Sequence, residues 1–262
     1  MSEYRTVLVD REGPTTTIWL NLPERLNVLT REMMEELTDA FVAVAASDAT
    51  GVVLGAKGRL FCAGHDFGEM AGKDAAEVRG LFDVCERLMR AIRETPQPVV
   101  ARVHALATGA GCQLVATADL AVASEGATFA TPGGHGGLFC TTPLVAVGRV
   151  VGRRRAVEMG MSGDPIDAAT ALAWGLVNRV VPDGELDEAV ATLVARVTRG
   201  GVESKAIGKR AFYQQMDLGV EDAYGLATAV MAEAALGAEA QEGIAAFLEK
   251  RPPDWSAARA RR

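Results

Sequence analysis

The strongest constraint on this chain is the way short apolar runs alternate with helical stripes. Runs at 7–9, 16–20, 51–54, 99–103 and 120–123 are strand-length and rich in Val, Ile, Leu and Ala. Between them lie stretches with apolar residues three and four apart: Met33, Leu37, Phe41 and Val44 in one, and Leu81, Val84, Cys85, Leu88 and Ile92 in another. A helical period that returns repeatedly to a strand predicts an α/β architecture, with Thr30 as the N-cap of the first long helix. The second helical stretch is expected to run from just after Asp66 to about Glu94, where Thr95-Pro96-Gln97-Pro98 stops it. A short strand is expected at 177–181, and beyond Gly200 only helical patterns remain. The expected division is therefore a core over 1–200 and a helical region over 201–262.

Composition narrows the function. The 262 residues are 49% hydrophobic, enough for a large buried core, and the net charge of −7 excludes a basic footprint for nucleic acid. The three-arginine cluster Arg153-Arg154-Arg155 is local. No apolar run approaches a membrane span, and neither a secretory nor a transit segment is visible, so a cytoplasmic location is expected. Cys62, Cys85, Cys112 and Cys140 show no CxxC spacing and read as small buried residues, with Cys140 the nearest to an exception because it lies in a candidate site loop. His65, His104 and His135 lie too far apart to suggest a metal site.

Chemistry points to two small-residue loops, each following an expected strand: Cys62-Ala63-Gly64-His65-Asp66 and Thr108-Gly109-Ala110-Gly111-Cys112. Backbone N–H groups in such loops can be left facing a ligand, and the second loop opens a helix whose dipole favours negative charge. A third loop, 131–137, carries four glycines in seven residues, freedom that lets a ligand approach closely.

With these loops in view, the chain resembles the crotonase, or enoyl-CoA hydratase/isomerase, superfamily. The matching segments are 26–29, 61–66, 107–114, 119–123, 129–132, 173–177 and 241–251. Within the superfamily, 109–116, 129–133 and 137–143 are most similar to the group called enoyl-CoA hydratase domain-containing protein 3. The resemblance implies a crotonase-type spiral of ββα turns and a C-terminal helical region used in trimer assembly, giving a homotrimer or homohexamer. It implies an acyl-CoA thioester as partner, no cofactor beyond that CoA moiety, and an oxyanion hole formed by the N–H groups of Ala63 and Ala110.

A hydratase of this family has glutamate after the cysteine of the second motif and after the proline of the Phe-x-x-Pro segment. Here those positions are Gln113 and Gly133. General acid–base groups contribute about 10²–10⁴-fold each, so losing a cooperating pair disfavours hydration by roughly 10⁴. His65 is the most suggestive remaining side chain, because the family's methylmalonyl-CoA decarboxylase has a histidine in the same context; its alternative is a loop histidine that shapes the hole. His135 is placed by sequence near the second missing glutamate, or is an exposed loop residue. Asp66 reads as a helix cap or a partner of His65, and Glu69 as a pocket or solvated residue. Arg25 and Lys250 are candidate cations for CoA phosphates, or solvated surface groups. Three functions stand: an enolate-stabilising acyl-CoA enzyme of lyase or isomerase type, a methylmalonyl-CoA-decarboxylase-like activity using His65, and a non-catalytic acyl-CoA-binding or regulatory protein.

Overall fold

The computed structural model describes residues 4–259. It contains two compact units. One takes in the described residues up to Thr95 together with Val99–Val194, and the other Pro96–Pro98 with the chain from Ala195 onward.

The first unit is built on a six-stranded sheet in the order β1 (Val7–Glu12), β2 (Thr15–Leu20), β3 (Gly51–Ala56), β4 (Val99–Val103), β6 (Leu120–Ser124), β9 (Arg179–Val181). The β1–β2 hairpin is antiparallel and every later pairing is parallel. Parallel strands need crossovers that cover the sheet, and β3 is accordingly buried along its whole length. In β2 the pattern alternates: Thr16, Ile18 and Leu20 point inward, while Trp19 faces out beneath the Lys57 ammonium, 3.7 Å from the ring centroid. A smaller sheet joins β5 (Ala107–Thr108), β7 (Thr128–Ala130) and β8 (Ile166–Asp167).

Helix α1 (Arg31–Ala45) starts where its sequence directs: the Thr30 hydroxyl accepts the Met33 N–H, and Met33, Met34, Leu37, Phe41 and Val44 form its buried stripe. Helix α2 (Ala75–Glu94) buries Leu81, Val84, Cys85, Leu88, Met89 and Ile92. It begins later than expected. Asp66 caps a 3-10 turn at Phe67–Glu69, Gly72 turns left-handed at φ 71°, and Asp74 with Glu77 closes a capping box that restarts the chain as α-helix. The glycine-rich 131–137 segment likewise contains regular structure, a 3-10 turn at Pro132–Gly136. Helices α3 (Ala110–Thr117), α4 (Pro143–Val151), α5 (Arg153–Ser162), α6 (Ala168–Trp174) and α7 (Leu186–Val197) complete the order.

The second unit contains α8 (Val202–Gln215), α9 (Val220–Ala235), α10 (Ala238–Glu249) and α11 (Trp255–Arg259). Two buried carboxylates organise it. Glu239 accepts the N–H groups of Val202, Glu203 and Ser204 at the start of α8, where helical donors have no carbonyl of their own. Glu242 holds Arg251 through two hydrogen bonds of 2.6 and 3.2 Å and accepts the Asp254 N–H. Among the described residues no helix is long and apolar enough to cross a membrane.

Candidate active site

The site is assembled by backbone contacts between two loops, and Asn27 anchors the approach to the first of them. Leu26 and Asn27 both sit in the left-handed region, at φ 57° and 52°. The fully buried Asn27 side chain accepts the Leu22 N–H and donates to the carbonyls of Lys57 and Leu60. It thereby holds the 26–29 turn against the chain entering the first loop. That turn then engages the loop: Ala63 N–H donates to Leu26 O at 3.1 Å, Leu29 N–H to Gly64 O at 2.8 Å, and Asp66 N–H to Leu29 O at 3.3 Å.

The second loop lies directly on the first. Thr108 N–H donates to Cys62 O, and Gly109 N–H to Ala130 O. Two glycines are required by this closeness. A Cβ on Gly111 would stand 2.6 Å from Cys62 O, and one on Gly64, itself at φ 88°, would stand 3.0 Å from Thr108 O.

The hydrogen-bond pattern corrects one expectation. Ala63 is not an available donor, because its N–H is spent on Leu26. His65 takes its place: with the Gly64 carbonyl and the Asp66 N–H both turned to Leu29, the intervening His65 N–H faces the opposite way, and among the described residues it has no backbone acceptor. Ala110 opens α3, where the helical ladder starts with Gln113 N–H to Gly109 O, so its own N–H has no intrahelical partner. Gly64 brings the pair together, since its Cβ would be 3.5 Å from Ala110 N.

The side chains around these donors are neutral. The ring nitrogens of His65 are buried, with the ring edge-on to Phe82 and centroids 5.3 Å apart; neither nitrogen makes a hydrogen bond of regular geometry, and the Leu29 backbone exerts only a weaker pull against the effect of burial. Burial pushes its pKa down to about 4, so it is uncharged at neutral pH. Gln113 is buried on α3 and receives a long contact from Cys85 Sγ at 4.0 Å. Burial raises Cys62, Cys85 and Cys112 to about 12 and moves Cys140 in the same direction, which holds all four thiols protonated.

The remaining candidates separate. Asp66 caps through Oδ1, accepting Gly68 N–H, and pairs through Oδ2 with Arg25 Nη2 at 2.6 Å; it does not hold the His65 ring. Arg25 also lines a polar cavity of about 400 Å³ with Arg5, Glu24, Glu32 and Glu69. Glu69 accepts the Arg31 N–H and so serves the start of α1. His104 donates its Nε2–H to Gly58 O at 2.8 Å, a structural contact. His135 is exposed and its ring covers Gly163 at the end of α5; a Cβ on Gly163 would lie 2.8 Å from Cε1. Its exposure matches the loop-residue alternative, with the ring turned to α5. Lys250 is the left-handed C-cap of α10 in the second unit. Among the described residues no three His, Cys, Asp or Glu side chains gather as a metal site.

Three residues escaped the sequence reading. Asn27 stood inside a family segment yet carried no visible role, although a polar residue in an apolar run just ahead of an N-cap was a usable signal. Phe82 lies on the partly exposed edge of a helical stripe. Thr131, fully buried with its hydroxyl unpartnered, lay inside the flagged 131–137 loop but was not singled out there.

A mixed, largely parallel sheet wound with helices and followed by a helical unit, with paired loop donors beside α3, defines a crotonase-fold protein. The sequence profile of the enoyl-CoA hydratase/isomerase family matches residues 11–258, and the chain belongs to that family. Its relatives include the mitochondrial enoyl-CoA hydratase domain-containing protein 3 of Rattus norvegicus, 39% identical over 97% of this chain and 86% of the relative. The crystal structure of the human protein of that name superposes with a TM-score of 0.92 at 38% identity, covering 96% of this chain and all of the other. An enoyl-CoA hydratase from Mycobacterium smegmatis gives 0.93 at 43% identity over 96% and 99%. The mitochondrial relatives overturn the expectation of a cytoplasmic location. That expectation rested on seeing no targeting composition, and such a reading carries no physical information about compartment.

Proposed function

We propose that the protein binds an acyl-CoA thioester with its carbonyl oxygen between the N–H groups of His65 and Ala110, and stabilises the enolate formed from it. The observation that carries this reading is the pair of unengaged donors on two touching loops. One of them opens α3, so the helix dipole adds to the attraction for a developing oxyanion. Buried, preorganised donors need no reorganisation as the charge appears.

Ala110→Pro is the direct test. Proline is accommodated at the first helical position, and its ring methylene replaces the N–H where the thioester oxygen would sit. Exchange of the acyl Cα hydrogens with D₂O, followed by NMR, is expected to slow by about 10²–10³ while the fold persists. Unchanged exchange in a folded variant would remove Ala110 from the mechanism. Complete absence of exchange in the native protein, with acyl-CoA affinity intact, would favour the non-catalytic binder.

A second reading is supported by the neutrality of the site. Gln113 and Gly133 supply no carboxylate, His65 is uncharged and the thiols are protonated. Decarboxylation of a malonyl-type acyl-CoA needs no protein base. The electrons of the breaking C–C bond pass into the enolate, CO₂ leaves, and a solvent proton completes the product. CO₂ release from methylmalonyl-CoA, measured beside hydration of crotonyl-CoA, separates the two reactions.

A further inference from the structure

The loss of glutamate at position 133 is more than a missing side chain. Residues 133–140 close on themselves: Leu138 N–H donates to Gly133 O at 2.9 Å, Gly137 N–H to Gly134 O at 3.2 Å, and Gly133 N–H points to Cys140 Sγ at 3.3 Å. A Cβ on Gly133 would stand 2.1 Å from the Leu138 carbonyl oxygen, 2.8 Å from Cys140 Sγ and 3.3 Å from Cys140 N. Two of these three neighbours are backbone and cannot swing aside.

Neither can the loop lift as a whole without cost, because it is seated on α5 at three places. Phe139 packs on Gly160, where a Cβ would meet its Cζ at 2.9 Å; Gly134 faces the Gly160 carbonyl; and the His135 ring covers Gly163. His135 thus acts as an anchor of this loop.

We infer that Gly133 and Cys140 are specificity-determining: the 133–140 clasp excludes any side chain at position 133, with the Cys140 thiol filling the adjoining volume. The site is therefore built for a reaction that uses no carboxylate there, and restoring the two family glutamates does not turn it into a hydratase. The chemical half of this inference rests on the acyl-CoA reading above; the steric half does not.

The test compares Gln113→Glu, Gly133→Ala, Gly133→Glu and the double variant Gln113→Glu/Gly133→Glu in the full chain. Melting temperature, crotonyl-CoA hydration and affinity for an unreactive acyl-CoA thioether are measured for each. Gly133→Ala is expected to lower the melting temperature by at least about 3 °C or to prevent folding, a large response to one methyl group. The double variant is expected to gain less than about tenfold in hydration over the native protein, far short of what a working acid–base pair supplies. A smaller fall for Gly133→Ala, or a larger gain for the double variant, overturns the inference. A double variant that does not fold while Gln113→Glu does supports it. Failure of the native protein to bind the thioether counts against the acyl-CoA reading alone.

Discussion

Gln113 and Gly133 stand where the family resemblance implies glutamate in a hydratase, yet the regions around them differ in kind. At Gln113, α3 carries a buried, uncharged side chain of glutamate's size, with Cys85 Sγ 4.0 Å from its Oε1. Around Gly133 the volume itself is gone, filled by the Leu138 carbonyl and the Cys140 thiol. Position 113 has room for a side chain and lacks only a charge, whereas position 133 lacks the room. The first difference leaves a site ready for a different proton inventory, and the second commits it.

His65 sets the largest expected effect. Its pKa of about 4 lies below the ordinary value of 6.5, so between those limits the unfolded chain binds more protons than the folded one. Stability should therefore be fully present above pH 6.5 and fall as pH drops toward 4, by up to about 3 kcal/mol from this group. Chemical unfolding at pH 7 and pH 4.5 should show a smaller pH loss in His65→Phe than in the native chain. An equal loss in both would mean that the ring is not held neutral by burial.

Gly111→Ala tests the loop contact on the intact side of the site. Its Cβ would meet the Cys62 carbonyl at 2.6 Å, and a destabilisation of about 1–3 kcal/mol is expected in urea titration. A neutral result would show that the two loops can separate, and with them the paired donors.

Gln113→Met gives the smaller effect. The amide's contact with Cys85 Sγ is long, and a side chain of similar volume should cost less than about 1.5 kcal/mol. If it lowers the melting temperature as much as Gly133→Ala, the contrast between the two positions fails. Least is expected of Arg25→Ala. The pair with Asp66 is half-exposed on the arginine side, and its removal should change stability by under about 1 kcal/mol, readable only at low salt.

Much of this molecule was legible before its structure. The stripes of α1 and α2, the Thr30 cap, the α/β alternation and the helical C-terminal region follow from periodicity and capping chemistry, which are local in sequence. The two site loops were legible for a similar reason: small residues between a strand and a helix advertise close backbone approach. Assigning the donor was not, because whether Ala63 or His65 offers a free N–H depends on where Leu26 and Leu29 place their carbonyl and amide groups, a register set more than thirty residues away. Nor was the placement of His135, for the same reason. Its closeness to Gly133 along the chain says nothing about its ring, which packs on a helix end contributed by Gly163.

Residue identities and spacing were enough for the family, for the strands of the main sheet with the helices between them, and for the absence of carboxylates at positions 113 and 133. These depend on residue identity and short-range spacing. Only the tertiary structure decided which amides stay unpaired, that the His65 ring nitrogens are buried without a hydrogen bond of regular geometry, and that position 133 is closed to side chains. Each of those depends on atoms from distant segments competing for the same few ångströms, and no local pattern encodes the outcome of that competition.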